Sequence, residues 1–119
     1  MPHRILLADD HEGVRRRVRS LLETAGFEIC GEAADGLDAV KKTRDLRPDL
    51  IVLNLSMPGI HGLEAIPEIV KSAPSVKILV FSVDEADEVR REAFRRGAHG
   101  YVTKVSPTDL VEEVKKLLA

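Results

Sequence analysis

The sequence predicts a doubly wound α/β fold in which a five-stranded parallel sheet is covered on both faces by five helices. Five short apolar runs recur along the 119 residues, and a segment with apolar residues at helical spacing follows each run. Continuous apolar strands that alternate with helices are typical of a parallel sheet buried on both faces. The length allows one domain of ordinary size.

The apolar runs are rich in Ile, Leu and Val, as buried strands are. Cys30, the single cysteine, ends the second run and is interpreted as a small packing residue. A single cysteine excludes an intrachain disulfide and a cysteine-based zinc cluster. We expect the strands at 5–8, 27–30, 50–53, 78–81 and 101–102.

Helical periodicity predicts the segments between the strands. From Val14 onward apolar residues recur at i, i+4, i+7 and i+8, which predicts a helix over 12–25. Gly26 directly after this helix is typical of a C-terminal cap. The second helix is expected at 37–46 by the same criterion.

The third helix, 63–72, contains Pro67, which predicts either a kink or a later start. The fourth is expected over 84–96, because acidic residues open this segment and arginines close it, as the helix dipole favours. The fifth starts at a capping motif with a proline at the first helical position. The residues of that motif are Ser106, Pro107 and Asp109.

The composition excludes several classes of protein. At 44% hydrophobic and 32% charged residues with a net charge of −2, the chain lacks the basic stripe of a nucleic-acid-binding domain. No apolar run approaches the roughly 18 residues of a membrane span, and the N-terminus does not resemble a signal peptide. We therefore expect a cytoplasmic protein without membrane or nucleic-acid contacts of its own.

Polar side chains follow four of the predicted strands at their carboxyl ends, where open parallel sheets bind ligands. With strands one, three and four adjacent, these ends converge on one edge of the sheet. Asp9 and Asp10 follow the first strand, Asn54 the third, Ser82 the fourth, and Thr103 and Lys104 the fifth.

This set favours a phosphate and magnesium site. Asp9 and Asp10 need a nearby cation to remain charged side by side. Mg²⁺ typically takes one or two carboxylates together with phosphate oxygens and water. Ser82 can donate to a phosphoryl oxygen, Lys104 can neutralise one, and an aspartate at position 54 would be the nucleophile of an aspartyl-phosphate.

Each of these residues also has an ordinary structural interpretation. An acidic pair in a loop is usually a turn or cap, a lysine at a strand end is usually solvated, and a serine there is usually a helix N-cap. The joint placement of all of them at successive strand ends favours the functional interpretation.

The chain resembles the receiver domain of bacterial two-component response regulators, which has the CheY-like, flavodoxin-like fold with strand order 2-1-3-4-5. The resemblance lies in ILLADDH, PDLIVLNLSMPGIHGLE, ILVFS and GAHGYVTK, and it covers residues 1–119. ADDHEGVR and GLEAI are similar to the NarL-like subfamily, in which a helix-turn-helix DNA-binding domain usually follows. We therefore expect a signalling module and not an enzyme.

The resemblance implies a role for each matching position. Asp9 and Asp10 would hold Mg²⁺ with the backbone carbonyl of Ser56 and with position 54. Ser82 would be the switch hydroxyl, Tyr101 the switch aromatic that moves inward on activation, and Lys104 the partner of the phosphoryl oxygens. The family often has proline after this lysine, whereas Val105 stands here, which leaves the geometry of the Lys104–Val105 peptide open.

Position 54 would be the phosphoacceptor aspartate, and here the chain departs from the family pattern with Asn54. An amide is a poor nucleophile, so no acyl phosphate is expected there. The site also has one negative charge fewer, so Mg²⁺ should bind more weakly. Asn54 fits either a naturally degenerate receiver or an engineered substitution that traps the unphosphorylated form.

The resemblance also implies partners. A histidine kinase or phosphotransfer protein would dock on the first helix and the loop after strand five. The fourth helix, fifth strand and fifth helix would bind a second copy or another partner. The first helix carries four arginines, which a solvated face explains equally well: Arg15, Arg16, Arg17 and Arg19.

Two other functions fit part of this sequence pattern. A Mg²⁺-dependent phosphatase or phosphotransferase could use Asp9 or Asp10 as nucleophile, but the sequence places no further acid to activate water. A flavodoxin-like mononucleotide binder would need aromatic residues to stack the ring, and only 3% of the residues are aromatic. Absorbance at about 450 nm would reveal a bound flavin.

Overall fold

A computed structural model describes residues 2–104 and 109–119. These residues form a five-stranded, all-parallel sheet with the order β2-β1-β3-β4-β5. This result confirms the predicted fold class and the strand order. The strands are β1 (Arg4–Ala8), β2 (Glu28–Ala33), β3 (Leu50–Leu53), β4 (Lys77–Ser82) and β5 (Gly100–Thr103).

Five helices connect and follow the strands. The first three begin within one residue of their predicted starts, and the predicted cap at Ser106 and Pro107 lies outside the described residues. No helix in the described ranges is long and apolar enough to cross a membrane. The helices are α1 (Glu12–Thr24), α2 (Gly36–Leu46), α3 (Gly62–Ser72), α4 (Asp87–Arg96) and α5 (Asp109–Leu118).

The sheet separates two apolar cores. Along β3 the side chains alternate: Leu50 and Val52 pack with residues of α1 and α5. Ile51 and Leu53 point to the other face and pack with residues of α2 and α3. Because successive residues of a strand face opposite sides of the sheet, a continuous apolar run contributes side chains to both cores.

Helix α4 begins three residues later than predicted. The Oδ1 atom of Asp84 accepts a hydrogen bond from the backbone N–H of Ala86 at 2.9 Å, which closes a turn before the helix. Ala86 has extended backbone angles and is the N-cap. Asp84 therefore belongs to the β4–α4 loop, which brings it close to the end of the sheet.

Pro67 lies inside α3 without shortening the helix. A proline has no N–H, so the carbonyl of Leu63, one turn earlier, lacks its usual helical donor. The Nη1 atom of Arg96 donates to this carbonyl at 3.0 Å, and its Nε atom bonds Glu92 at 2.6 Å. The end of α4 thus satisfies the acceptor that Pro67 leaves free in α3.

Strand β2 is the edge strand next to β1, and it continues three residues beyond its predicted end. Ile5 pairs with Ile29, but the following residue of β1 pairs with Gly31. Cys30 is therefore an extra residue in β2 and forms a bulge. An edge strand has one partner, so it tolerates glycine and polar residues that a central strand does not.

Candidate functional site

The carboxyl ends of β1, β3, β4 and β5 meet at one edge of the sheet, and the predicted site residues lie there together. Asp9, Asn54 and Ser82 are buried at this edge. In the described part of the chain, every buried side-chain nitrogen and oxygen has a hydrogen-bond partner. The rim of the site is formed by Asp10, Ser56 and Lys104.

Asn54 occupies the centre of the site. Its backbone N–H donates to the carbonyl of Ala8 at 2.9 Å, which extends the β1–β3 ladder and places the amide beside the acids. The Nδ2 atom donates to the Ser56 carbonyl at 2.9 Å. The same atom lies 3.3 Å from Asp10 Oδ1 and 3.5 Å from Asp9 Oδ1. Three oxygen acceptors converge on the amide NH₂, and this network fixes the orientation of the amide.

Asp9 has a donor on each of its oxygens. Its Oδ2 atom pairs with Lys104 Nζ at 2.6 Å, and its Oδ1 atom accepts from the His11 N–H at 2.9 Å. Its carbonyl oxygen accepts from Arg15 Nη1 at 2.5 Å. These contacts anchor Asp9, whereas Asp10 is exposed and accepts from the Asn54 amide at 3.3 Å.

Lys104 follows β5 and is held at the site by main-chain and side-chain contacts. Its backbone N–H donates to the Ser82 carbonyl at 2.8 Å, which continues the β4–β5 ladder. Its ammonium lies 5.7 Å from the centre of the Phe81 ring in addition to its pair with Asp9. The Lys104–Val105 peptide lies outside the described residues.

Ser82 and Tyr101 meet through the β4–α4 loop. Ser82 Oγ accepts from the Asp84 N–H at 3.2 Å, and the Tyr101 hydroxyl donates to the Asp84 carbonyl at 2.7 Å. The Tyr101 ring is buried, with the Arg90 guanidinium 5.5 Å from its centre. Burial raises the pKa of the Tyr101 hydroxyl, and Ser82 and Arg90 partly oppose this rise. The loop thus links the hydroxyl of Ser82 to the aromatic ring.

The oxygen atoms at this edge suit a hard cation. The described residues contain no cluster of three or more His, Cys, Asp or Glu that could hold a metal. The two carboxylates and the Ser56 carbonyl fit Mg²⁺, which keeps several waters and needs few protein ligands. The Asn54 NH₂ now contacts all three of these groups, so a cation would have to displace it from them.

The arginine-rich first helix is only partly a solvated face. Arg16 pairs with Glu12 at 3.0 Å on the exposed side, as expected for such a face. Arg15 instead points to the site, and its Nε atom pairs with Glu32 Oε1 at 2.7 Å. Glu32 was not among the predicted site residues. The available signal was its position directly after Gly31, just beyond the predicted end of the second strand, where it pairs with Leu7 of β1.

His11 also has a structural role. Its Nδ1 atom accepts from the Val14 N–H at 3.3 Å and caps α1. The cap starts the helix directly after the two acids, so the acids lie in the short loop between β1 and α1. The sequence pattern did not predict this capping role.

Comparison with known proteins identifies the family. The family model for the response regulator receiver domain matches residues 5–115. The chain belongs to this family. Receiver domains are generally signalling modules that bind Mg²⁺ and interact with histidine kinases and phosphotransfer proteins.

Curated relatives cover the chain almost completely. The chemotaxis protein CheY of Thermotoga maritima is 35% identical over 118 residues, which are 98% of each protein. The response regulator GacA of Pseudomonas aeruginosa is also 35% identical over 118 residues, but this is only 55% of its length. The chain therefore spans about half the length of GacA.

Solved structures support the NarL-like assignment. A LuxR-family two-component response regulator from Aurantimonas sp. SI85-9A1 is 37% identical with a TM-score of 0.94, covering 99% of this chain and 86% of that chain. The receiver domain of a putative NarL from Mycobacterium tuberculosis is 29% identical with a TM-score of 0.87, covering 97% and 94%.

Proposed function

We propose that residues 1–119 form a receiver module that cannot accept a phosphoryl group at position 54 and acts through contacts with partners. The observation that carries this proposal is Asn54, whose amide lies at the end of β3 among two carboxylates and near Lys104. In the receiver family this is the position of the reacting aspartate. The amide nitrogen has no lone pair available for attack, and the neutral amide oxygen is a poor nucleophile.

The surrounding residues would supply the other parts of a receiver site. Asp9, Asp10, the Ser56 carbonyl and the Asn54 amide oxygen are the groups that would hold Mg²⁺, which in receivers neutralises charge on the phosphoryl group. Lys104 and Ser82 are the groups that would contact phosphoryl oxygens. The side-chain amide of Asn54 must rotate before its oxygen can face Mg²⁺, so we expect weak Mg²⁺ binding.

Signalling by such a module depends on its surfaces. A histidine kinase or phosphotransfer protein would dock near α1 and the end of β5, where Arg17 and Lys104 line the same shallow pocket. A second copy or another partner would use α4, β5 and α5. Tyr101 belongs to this second surface and joins it to Ser82 through Asp84. Residence in the cytoplasm is part of the same proposal.

Intact mass after treatment with Mg²⁺ and acetyl phosphate tests this proposal. We expect no adduct on this chain and one acyl-phosphate adduct of about 80 Da on Asn54→Asp. Hydroxylamine should remove the adduct, because it cleaves an acyl phosphate and leaves a serine or threonine phosphate intact. Matching circular dichroism spectra at the assay temperature would show that both proteins are folded.

A stoichiometric, hydroxylamine-sensitive adduct on the unsubstituted chain would contradict the proposal. It would favour the alternative in which Asp9 or Asp10 is the nucleophile of a phosphatase or phosphotransferase. Loss of that adduct in Asp10→Asn would assign it to Asp10. The contacts of Asp9 with Lys104 and His11 disfavour Asp9 in this role.

A further inference from the structure

The main chain of Asp9 is held by one hydrogen bond to β2 and one from α1. The Asp9 N–H donates to the Ala33 carbonyl at 3.0 Å, which ends the β1–β2 ladder. The Asp9 carbonyl accepts from Arg15 Nη1 at 2.5 Å. This carbonyl belongs to the peptide that joins Asp9 to Asp10, so its direction sets where the Asp10 side chain begins.

Glu32 determines where the Arg15 guanidinium lies. Arg15 Nε pairs with Glu32 Oε1 at 2.7 Å, and the two side chains are 16% and 32% exposed. A guanidinium has donors in a rigid planar fork, so holding Nε against Glu32 aims Nη1 at the Asp9 carbonyl. Burial favours a higher pKa for Glu32, but hydrogen bonds from Arg19 and Arg15 outweigh it and lower the pKa. Glu32 is therefore a charged partner for Arg15.

Arg19 is a natural control for Arg15, because both arginines pair with Glu32. It is on the same helix and pairs with the other Glu32 oxygen, Oε2, at 2.7 Å. It also contacts Glu23 at 3.3 Å, and it makes no hydrogen bond to Asp9. Arg15 and Arg19 thus share Glu32 as a partner, but Arg15 alone of the two reaches the site.

We propose that Arg15 and Glu32 are positioning residues for the acidic pair: Glu32 orients Arg15, and Arg15 fixes the Asp9–Asp10 peptide for cation binding. The part of this inference that concerns cations rests on the proposed function. Residues that support metal ligands typically change metal affinity by about 10- to 100-fold when they are lost. The edge strand β2 would in this way control a site to which it contributes no ligand.

Mg²⁺ titrations followed by the amide resonance of Asp10 test the proposal. We expect Arg15→Ala and Glu32→Ala each to weaken Mg²⁺ binding by about tenfold. Arg19→Ala should change affinity by less than about twofold, although it removes the same charge. Because Glu32 acts through Arg15, the double variant should bind Mg²⁺ no more weakly than Arg15→Ala. Equal weakening by Arg15→Ala and Arg19→Ala would overturn the proposal.

Hydrogen exchange without metal gives a second test. The His11 N–H is bonded to Asp9 Oδ1, whereas the Asp9 N–H is bonded within the sheet. In Arg15→Ala we expect His11 to exchange about tenfold faster relative to Asp9, the factor expected for losing one hydrogen bond from a charged donor. Arg19→Ala should leave this ratio unchanged.

The two experiments separate the inference from the proposed function. If Mg²⁺ shifts the Asp10 amide resonance neither in this chain nor in Asn54→Asp, the proposed cation site is wrong. Hydrogen exchange of His11 relative to Asp9 then tests the positioning role of Arg15 by itself. An unchanged exchange ratio in Arg15→Ala would overturn the positioning role whether or not Mg²⁺ binds.

Discussion

Replacing Asn54 by aspartate places a carboxylate where the structure has an amide donor. The Nδ2 atom of Asn54 lies 2.9 Å from the Ser56 carbonyl, 3.3 Å from Asp10 Oδ1 and 3.5 Å from Asp9 Oδ1. Asn54→Asp exchanges this donor for an oxygen that faces three other oxygens. Without Mg²⁺, hydrogen bonding at this point is lost and repulsion takes its place.

The cost can be estimated from these distances. Two unit charges about 4 Å apart repel by about 1 kcal/mol in water and about 4 kcal/mol near a protein surface. Asp10 is exposed, so the lower value applies to it. Repulsion from Asp9 is reduced by the Lys104 ammonium 2.6 Å from its other oxygen. We expect Asn54→Asp to lower the free energy of unfolding by about 1 to 2 kcal/mol.

Thermal unfolding in EDTA measures this cost, and a domain of this size should melt about 4 °C lower for each kcal/mol lost. Asp10→Asn is the matched control, because it removes one of the two repelling charges. In that background Asn54→Asp should cost about half as much. Excess Mg²⁺ should stabilise Asn54→Asp more than the unsubstituted chain. A more stable Asn54→Asp in EDTA, or an equal cost in both backgrounds, would refute the electrostatic explanation.

Two further predictions concern stability away from the site. Arg96→Ala should cost about 1 kcal/mol in urea unfolding, because it leaves the Leu63 carbonyl without a donor. In a Pro67→Ala background the restored N–H should remove most of this cost, and an undiminished cost would contradict the assignment. His99 lies at the surface, and its Nδ1 atom accepts from the Ile78 N–H at 3.0 Å. Partial desolvation of the ring and the nearby charge of Lys77 lower the pKa of His99 below 6.5. The neutral imidazole is therefore favoured by folding, and its contribution should be present above about pH 6.5 and lost as pH falls through the lowered pKa. His99→Asn keeps an acceptor that does not titrate, so its melting temperature should vary less between about pH 5 and 7, and an unchanged pH profile would contradict this.

The sequence was a good guide to the fold because the central strands are apolar on both faces. The run at 50–53 predicted β3 to the residue, since no polar side chain fits between two cores. The same criterion failed for β2, where Gly31 and Glu32 continue an edge strand that apolar content alone ends too early. The expectation that acidic residues open the fourth helix failed at Asp84, whose side chain closes a turn before the helix.

The sequence predicted those site residues that directly follow a strand. Asp9, Asn54, Ser82 and Lys104 were placed together because parallel strands end at one edge, and the structure brings them together. The contact between Arg15 and Glu32 could not be foreseen in this way. It depends on the register of β2 and on the direction of one side chain from α1, and a run of arginines alone does not specify either.

The bulge in β2 bears on how copies of this chain could associate. Open sheet edges recruit strands from neighbouring molecules when they are long, flat and apolar. Cys30 interrupts the regular spacing of N–H and C=O groups along this border, and the acidic side chains of Glu28 and Glu32 flank the interruption. This border is therefore a poor template for strand addition, and it protects the fold against growth of the sheet from one molecule into the next.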